Sequence, residues 1–155
     1  MLPYVRLLHL FIGADDSVGP NVDGTITCGR TGSSAPTNER PTVTPHPSRR
    51  PDSPLLGLCF GFDAKGKNDN MVGFPLRSAA PDGCEVFRYP ACRWFVVTAE
   101  GKISALTLRR TWQWVHSELI DGGMIVPREA PTIEEYALWD EAADRCKVRL
   151  WIPVY

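Results

Sequence analysis

The sequence has little excess charge and no long run of one sign. Its 17 Lys and Arg residues stand against 18 Asp and Glu residues, which leaves a formal net charge of -1. Binding along a phosphate backbone needs a clustered positive field, and the pair Arg49 and Arg50 is too small to supply one. The composition therefore argues against direct nucleic-acid binding.

Paired cysteine motifs and long apolar runs are also missing. The five cysteines are odd in number, widely spread and without a CxxC pair, so neither a disulfide framework nor a zinc site is expected. No apolar run reaches the roughly 18 residues of a membrane span. Residues 2–12 include Arg6 and His9 and lack the cleavage site of a signal peptide. We expect a cytoplasmic protein without membrane contact, metal or cofactor.

Leucine and aromatic residues are absent from one long segment. Residues 13–54 contain seven of the 14 prolines and a single isoleucine, too little apolar surface to order the chain well. We predict coil there, with a short extended piece at 22–28 that Gly29 closes, preceded by a strand at 4–12. The chain is expected to form one domain, with a divergent part at 1–54 and the main folded part at 55–155.

From Leu55 onward the pattern changes to strands, turns and one helix. Strands are predicted at 55–62, 71–76, 84–89, 93–98, 132–139 and 146–154. A helix is predicted at 103–120, because apolar residues recur there at steps of three and four, and the Gly122-Gly123 pair can end it. The helix stripe consists of Ala105, Leu108, Trp112, Val115 and Leu119. We predict an α+β fold, an antiparallel sheet with one clear packed helix and with Trp112 as a packing residue.

Several short motifs follow one another in a fixed order between residues 55 and 155. They are Tyr89-Pro90-Ala91, Trp94-Phe95-Val96-Val97, Glu100-Gly101, Pro131-Thr132-Ile133-Glu134-Glu135-Tyr136 and Leu150-Trp151-Ile152-Pro153-Val154. In this order and spacing they resemble the gyrase-inhibitor-like family, also called the AraC-type effector-binding domain.

The resemblance implies a pseudo-twofold fold of two strand-helix-strand-strand modules with a ligand groove between them. It also implies binding of small molecules, often cationic or amphipathic, here by a stand-alone sensor linked to transcription or drug response. The proline-rich residues 13–54 lie where the family has its first helix. The first module is therefore expected to be incomplete or disrupted, through an altered reading frame or through a truncation that a partner completes.

Four residues are candidates for a ligand site. Glu134 and Tyr136 share one face of their strand because side chains alternate, and Trp151 lies on the less apolar face of the next strand. The resemblance carries a ligand-facing glutamate onto Glu134 and aromatic walls onto Trp94, Tyr136 and Trp151. A glutamate on a strand is also a common solvated residue, and both tryptophans fit a core equally well. A carboxylate with aromatic rings suits a lipophilic cation.

Two other functions stay open from the sequence. An enzyme is the less favoured one, because His9, His46 and His116 are far apart and no catalytic set is recognisable. A small-molecule hydrolase would use Glu134 as general base if burial raises its pKa. A protein-interaction module of the gyrase-inhibitor type would instead pair with another chain, as a homodimer or with a protein partner.

Overall fold

The computed structural model describes residues 6–7, 25–34, 54–62, 68–75, 85–89 and 92–155. Within these ranges, eight strands form one antiparallel sheet. The strands are β1 (Arg6–Leu7), β2 (Thr25–Ser34), β3 (Leu55–Phe62), β4 (Asn68–Pro75), β5 (Glu85–Arg88), β6 (Arg93–Gly101), β7 (Thr132–Asp140) and β8 (Arg145–Val154). Helix α1 (Thr107–Trp114) joins β6 to β7 and continues as a π-helix over Val115–Ile120.

The strand order repeats itself from the two edges of the sheet. It runs β1-β6-β8-β7-β3-β4-β2-β5. If each strand is exchanged with the strand four numbers away (β1 with β5, β2 with β6, β3 with β7 and β4 with β8), the same order is read from the opposite edge. The two halves of the chain therefore share one topology, in which β2, β3 and β4 correspond to β6, β7 and β8. They meet at the central pair β3 and β7. This arrangement confirms the predicted α+β class and the pseudo-twofold plan.

Strand β2 corrects the prediction of coil in the proline-rich segment. It runs for 10 residues and pairs with both β4 and β5. The register to β4 shifts between Cys28 and Thr31, so an irregularity of the β-bulge kind accommodates Gly29, where the strand was expected to end. Residues 13–24 and 35–53 lie outside the described residues, as does most of the strand predicted at 4–12.

The helix begins four residues later than its periodicity predicts. Residues 103–106 form a turn in which Leu106 has a left-handed φ of 55°. Ser104 holds this turn through contacts to Asp144, in which its N–H lies 2.8 Å from Oδ1 and its hydroxyl 2.5 Å from Oδ2. The helix ends as predicted, since Gly123 has a φ of 72° and donates its N–H to the carbonyl of Ile120.

The helix covers one face of the sheet, here called the helix face. Val97 and Leu150 point to it and pack with Leu108, Val115 and Leu119 of the helical segment. The opposite face carries a second apolar cluster, whose main members are Leu56, Leu58, Met71, Tyr89, Val96, Ile133 and Trp151. Each fully buried Leu or Ile contributes about 1.5–3 kcal/mol, so both faces stabilise the sheet. None of the helices in the described ranges has the length and apolarity to cross a membrane.

Candidate functional site

Glu134 lies in the central strand pair, where the two halves of the chain meet. In the sheet register it stands opposite Gly57 of β3 on one side and Leu150 of β8 on the other. Leu150 belongs to the core of the helix face, and partners in register point to the same face. The side chain of Glu134 therefore lies on the helix face, where it is partly buried.

Two neutral donors hold the carboxylate. The indole Nε1 of Trp112 on α1 lies 2.5 Å from Oε1 of Glu134 and donates a hydrogen bond to it. The hydroxyl of Tyr136 donates to Oε2 at 2.7 Å. One donor comes from the helix and the other from the same strand, so the position of the carboxylate depends on how the helix packs on the sheet.

No cation of the described residues pairs with this carboxylate. The two ion pairs found in the described part of the chain are Lys147–Glu100 and Arg149–Glu135, and neither involves Glu134. Burial raises the pKa of Glu134 above its usual value of 4.5, and the hydrogen bonds from Tyr136 and Trp112 oppose this shift. An acid in this setting gains stability when a positive charge arrives beside it.

Gly57 has no side chain, and this leaves room beside the carboxylate of Glu134. A Cβ atom at position 57 would have Oε2 of Glu134 at 3.5 Å, with Cβ of Glu134 and Cε2 of Tyr136 each at 3.7 Å. These are ordinary contact distances, so a methyl-sized group fits beside Oε2. The strand backbone at Gly57 thus forms one wall of the site.

Aromatic rings flank the acid. The rings of Trp112 and His116 are 5.8 Å apart between centroids on the helical segment, and those of Tyr136 and Trp139 are 5.6 Å apart on β7. The indole N–H of Trp139 is buried and has no hydrogen-bond partner in the part of the chain that the structure describes. Within the described ranges, the helix face therefore combines a carboxylate that has no cationic partner with several aromatic rings.

Cys59 lies two residues beyond Gly57 on the same face of β3. Burial raises the pKa of its thiol well above 9.0, and the negative charge of Glu134 raises it further, against a hydrogen bond with Thr132. The thiol is therefore protonated at neutral pH and is a poor nucleophile. Among the described residues, no group of three or more His, Cys, Asp and Glu side chains could hold a metal ion.

Glu135 points to the opposite face and is fully engaged there. Its Oε1 lies 2.9 Å from an Nη of Arg149, and its Oε2 accepts a hydrogen bond of 2.8 Å from Nε1 of Trp151. Trp94 meets Trp151 edge to face with ring centroids 6.1 Å apart, and the ring of Tyr89 lies 4.7 Å from that of Trp94. These rings pack with one another on the side of the sheet away from α1.

The structure brings together two of the four predicted site residues. Glu134 and Tyr136 share the helix face and a hydrogen bond. Trp94 and Trp151 lie in or against the apolar cluster of the opposite face, so the sheet separates them from Glu134, contrary to the expectation of a common groove. A ligand-binding role for these four residues stays a prediction.

Two residues of the site, Trp112 and Gly57, are not among those predicted from the sequence. Trp112 was interpreted as packing only, although the N–H of a buried indole needs an acceptor and could have pointed to an acid. Gly57 lies in the interior of an apolar strand, and a glycine there often marks close approach of another group. Neither signal identifies Glu134 as the partner without the sheet register.

Comparison with known proteins finds relatives only at the level of structure. No family model and no curated protein sequence matches the chain. The structure of SAV2435 bound to tetraphenylphosphonium is similar, with a TM-score of 0.52 and 22% identity over 65% of this chain and 61% of that one. A protein of Staphylococcus aureus MU50, assigned to transcription regulation, has a TM-score of 0.50 and 22% identity over 65% of this chain and 62% of its own.

These similarities concern the fold. The chain spans a little over three fifths of the length of each of the two proteins. Both have the gyrase-inhibitor-like fold, with an antiparallel sheet and packed helix as seen here. The chain therefore has the gyrase-inhibitor-like fold that the order of its sequence motifs predicts.

Proposed function

We propose that this chain binds lipophilic monovalent cations on the helix face of its sheet, with Glu134 as the counter-charge. The observation that carries the proposal is the partly buried carboxylate of Glu134, which is held by two neutral donors without a cationic partner among the described residues. A ligand that brings a positive charge offsets the cost of ionising this acid in its buried position.

The neighbouring rings favour a cation that is also apolar. A positive group over the face of Trp or Tyr gains about 0.5–2 kcal/mol, depending on how far it is desolvated. Trp112 and Tyr136 both bond to Glu134, so both rings lie next to the carboxylate. A small hydrated ion would gain less from this surface, because it would have to lose its water.

The structural comparison supports the same class of ligand. One protein of the same fold is bound to tetraphenylphosphonium, a cation with four aromatic rings, and the other is assigned to transcription regulation. We propose that this chain acts as a stand-alone sensor of such molecules in drug response or transcription. A cytoplasmic location, a homodimer and a protein partner stay predictions.

Binding of tetraphenylphosphonium tests the proposal. A ligand at 100 times its Kd adds about 2.7 kcal/mol to the free energy of unfolding, so a thermal shift of the wild-type protein is expected. Glu134→Gln keeps the shape of the side chain and removes its charge, and this variant is expected to lose most of the shift. Glu129→Gln, at an exposed position, is the matched control and is expected to behave as wild type.

The raised pKa of Glu134 also favours a second candidate, hydrolysis of a bound small molecule with Glu134 as general base. Mass spectrometry of a reactive lipophilic ester incubated with the protein separates the two functions. Turnover that Glu134→Gln abolishes supports the hydrolase. Intact ligand recovered after binding supports the sensor alone.

A further inference from the structure

The two oxygens of Glu134 have different surroundings. Oε1 is covered from the helix by the indole of Trp112 at 2.5 Å. Oε2 bonds to Tyr136 within the same strand at 2.7 Å and faces the backbone of Gly57 across the central strand pair. A carboxylate oxygen can accept about two hydrogen bonds or equivalent charged contacts, so Oε2 has capacity left on the side of Gly57.

The space beside Oε2 is bounded by atoms that suit a cationic centre. The three heavy atoms nearest to a Cβ at position 57 belong to Glu134 and Tyr136, at 3.5–3.7 Å. A positively polarised C–H edge of a lipophilic cation would in that volume contact the carboxylate and the ring of Tyr136 that bonds to it. Coulomb attraction is strongest at such separations and in surroundings poor in water.

We propose that the bare backbone at Gly57 admits a positively polarised edge of the ligand beside Oε2 of Glu134, so that Gly57 determines which cations fit. This inference rests on the proposed function and deepens it, because it identifies the side from which the cation contacts the acid. Any side chain at position 57 would occupy the same volume, and a larger side chain would exclude more of the ligand.

Two substitutions of graded size test the inference with tetraphenylphosphonium as the probe. Gly57→Ala introduces a methyl group at ordinary contact distances, so the variant is expected to fold and to melt at or above the wild-type temperature. Gly57→Val adds two more methyl groups at the same place. Calorimetric titration is expected to show Kd raised several-fold by alanine and by about tenfold or more by valine.

Ala137→Val is the matched control, because it adds the same two methyl groups at an exposed position of β7. Its Kd is expected to equal that of the wild type. If Gly57→Val does not fold, Gly57→Ala decides, and an unchanged Kd in the alanine variant overturns the inference.

The outcomes separate this inference from the proposed function. A wild-type protein that does not bind tetraphenylphosphonium overturns both. Binding that is lost in Glu134→Gln and unchanged in both Gly57 variants overturns only the role of Gly57. Binding that is lost in Glu134→Gln and weakened in the order alanine, then valine, supports both.

Discussion

Glu134 and Glu135 are neighbours in β7, yet their carboxylates lie on opposite faces of the sheet with opposite charge compensation. Glu135 is bound by the cation of Arg149 at 2.9 Å and by the indole of Trp151 at 2.8 Å. Glu134 is bound by two neutral donors and by no cation of the described residues. One acid is therefore compensated by a cation of the described part of the chain, and the other is not.

Replacement of Glu134 by glutamine is expected to change how stability depends on pH. The pKa of Glu134 is raised in the folded protein above its usual value of 4.5. Below pH 4.5 the acid tends to be protonated in both states, and as pH rises the unfolded chain releases its proton first. The contribution of Glu134 to the free energy of unfolding therefore falls as pH rises from 4.5 through the folded pKa.

Urea unfolding between pH 4 and pH 8 checks this expectation. Glu134→Gln cannot titrate, so its stability relative to the wild type is expected to increase across that window. Glu129→Gln at an exposed position is expected to follow the wild-type curve. A constant difference between Glu134→Gln and the wild type at all pH values would contradict the prediction.

Loss of the indole donor is expected to raise the pKa of Glu134 further. The hydrogen bond from Trp112 stabilises the charged carboxylate and so lowers this pKa. Trp112→Phe keeps an aromatic ring and removes the N–H. Carbon-detected NMR titration of the Glu134 carboxyl is expected to show a higher midpoint than in the wild type. Trp114→Phe, at a half-buried position of the same helix, should leave the midpoint unchanged.

Removal of the Arg149 cation is expected to destabilise the protein by about 1–3 kcal/mol. The side chain of Glu135 is only 8% exposed and would keep an uncompensated charge, whereas Arg149 is 43% exposed, which limits the loss. Lys147→Met is the control on the same strand, because the Lys147–Glu100 pair is about half exposed on both sides. That control is expected to cost about 0–1 kcal/mol. Equal losses for Arg149→Met and Lys147→Met in urea unfolding would refute the distinction.

Addition of a methyl group at Gly101 is expected to cost about 1–3 kcal/mol. A Cβ at this position would lie 2.8 Å from Oγ1 and 3.3 Å from Cγ2 of Thr107, a buried residue whose hydroxyl donates to the carbonyl of Lys102. Gly101→Ala must therefore displace the start of α1. Gly57→Ala, with contacts of 3.5 Å or more, is the control and should be close to neutral in thermal unfolding.

Alternation along single strands was readable from the sequence. The placement of Trp151 on the face of β8 opposite to Val148 and Leu150 is observed, and the common face of Glu134 and Tyr136 is confirmed. Period-two alternation places residues relative to others of the same strand, and for this the sequence is sufficient. The end of the helix at Gly123 could also be predicted from the sequence, because it depends on the local backbone preference of glycine.

The register between strands and the tertiary contacts could not be predicted from the alternation within each strand. Trp151 was expected beside Glu134, but the register places Leu150 opposite Glu134, and a one-residue difference exchanges the faces. The start of the helix depends on Asp144, which contacts Ser104 from 40 positions further along the chain. Such a tertiary contact has no signal in the local periodicity. The length of β2 depends likewise on its pairing with β4 and β5.

The strand order shared by the two halves of the chain bears on the charge of the ligand that the site fits. Where β3 pairs with β7, the two halves contribute different residues, Gly57 from β3 and Glu134 from β7. An acid at position 57 as well would place two negative charges side by side across this strand pair and would suit a dication. On the helix face this strand pair carries one carboxylate, that of Glu134, against the backbone of Gly57, so the proposed function predicts one monovalent cation for each chain.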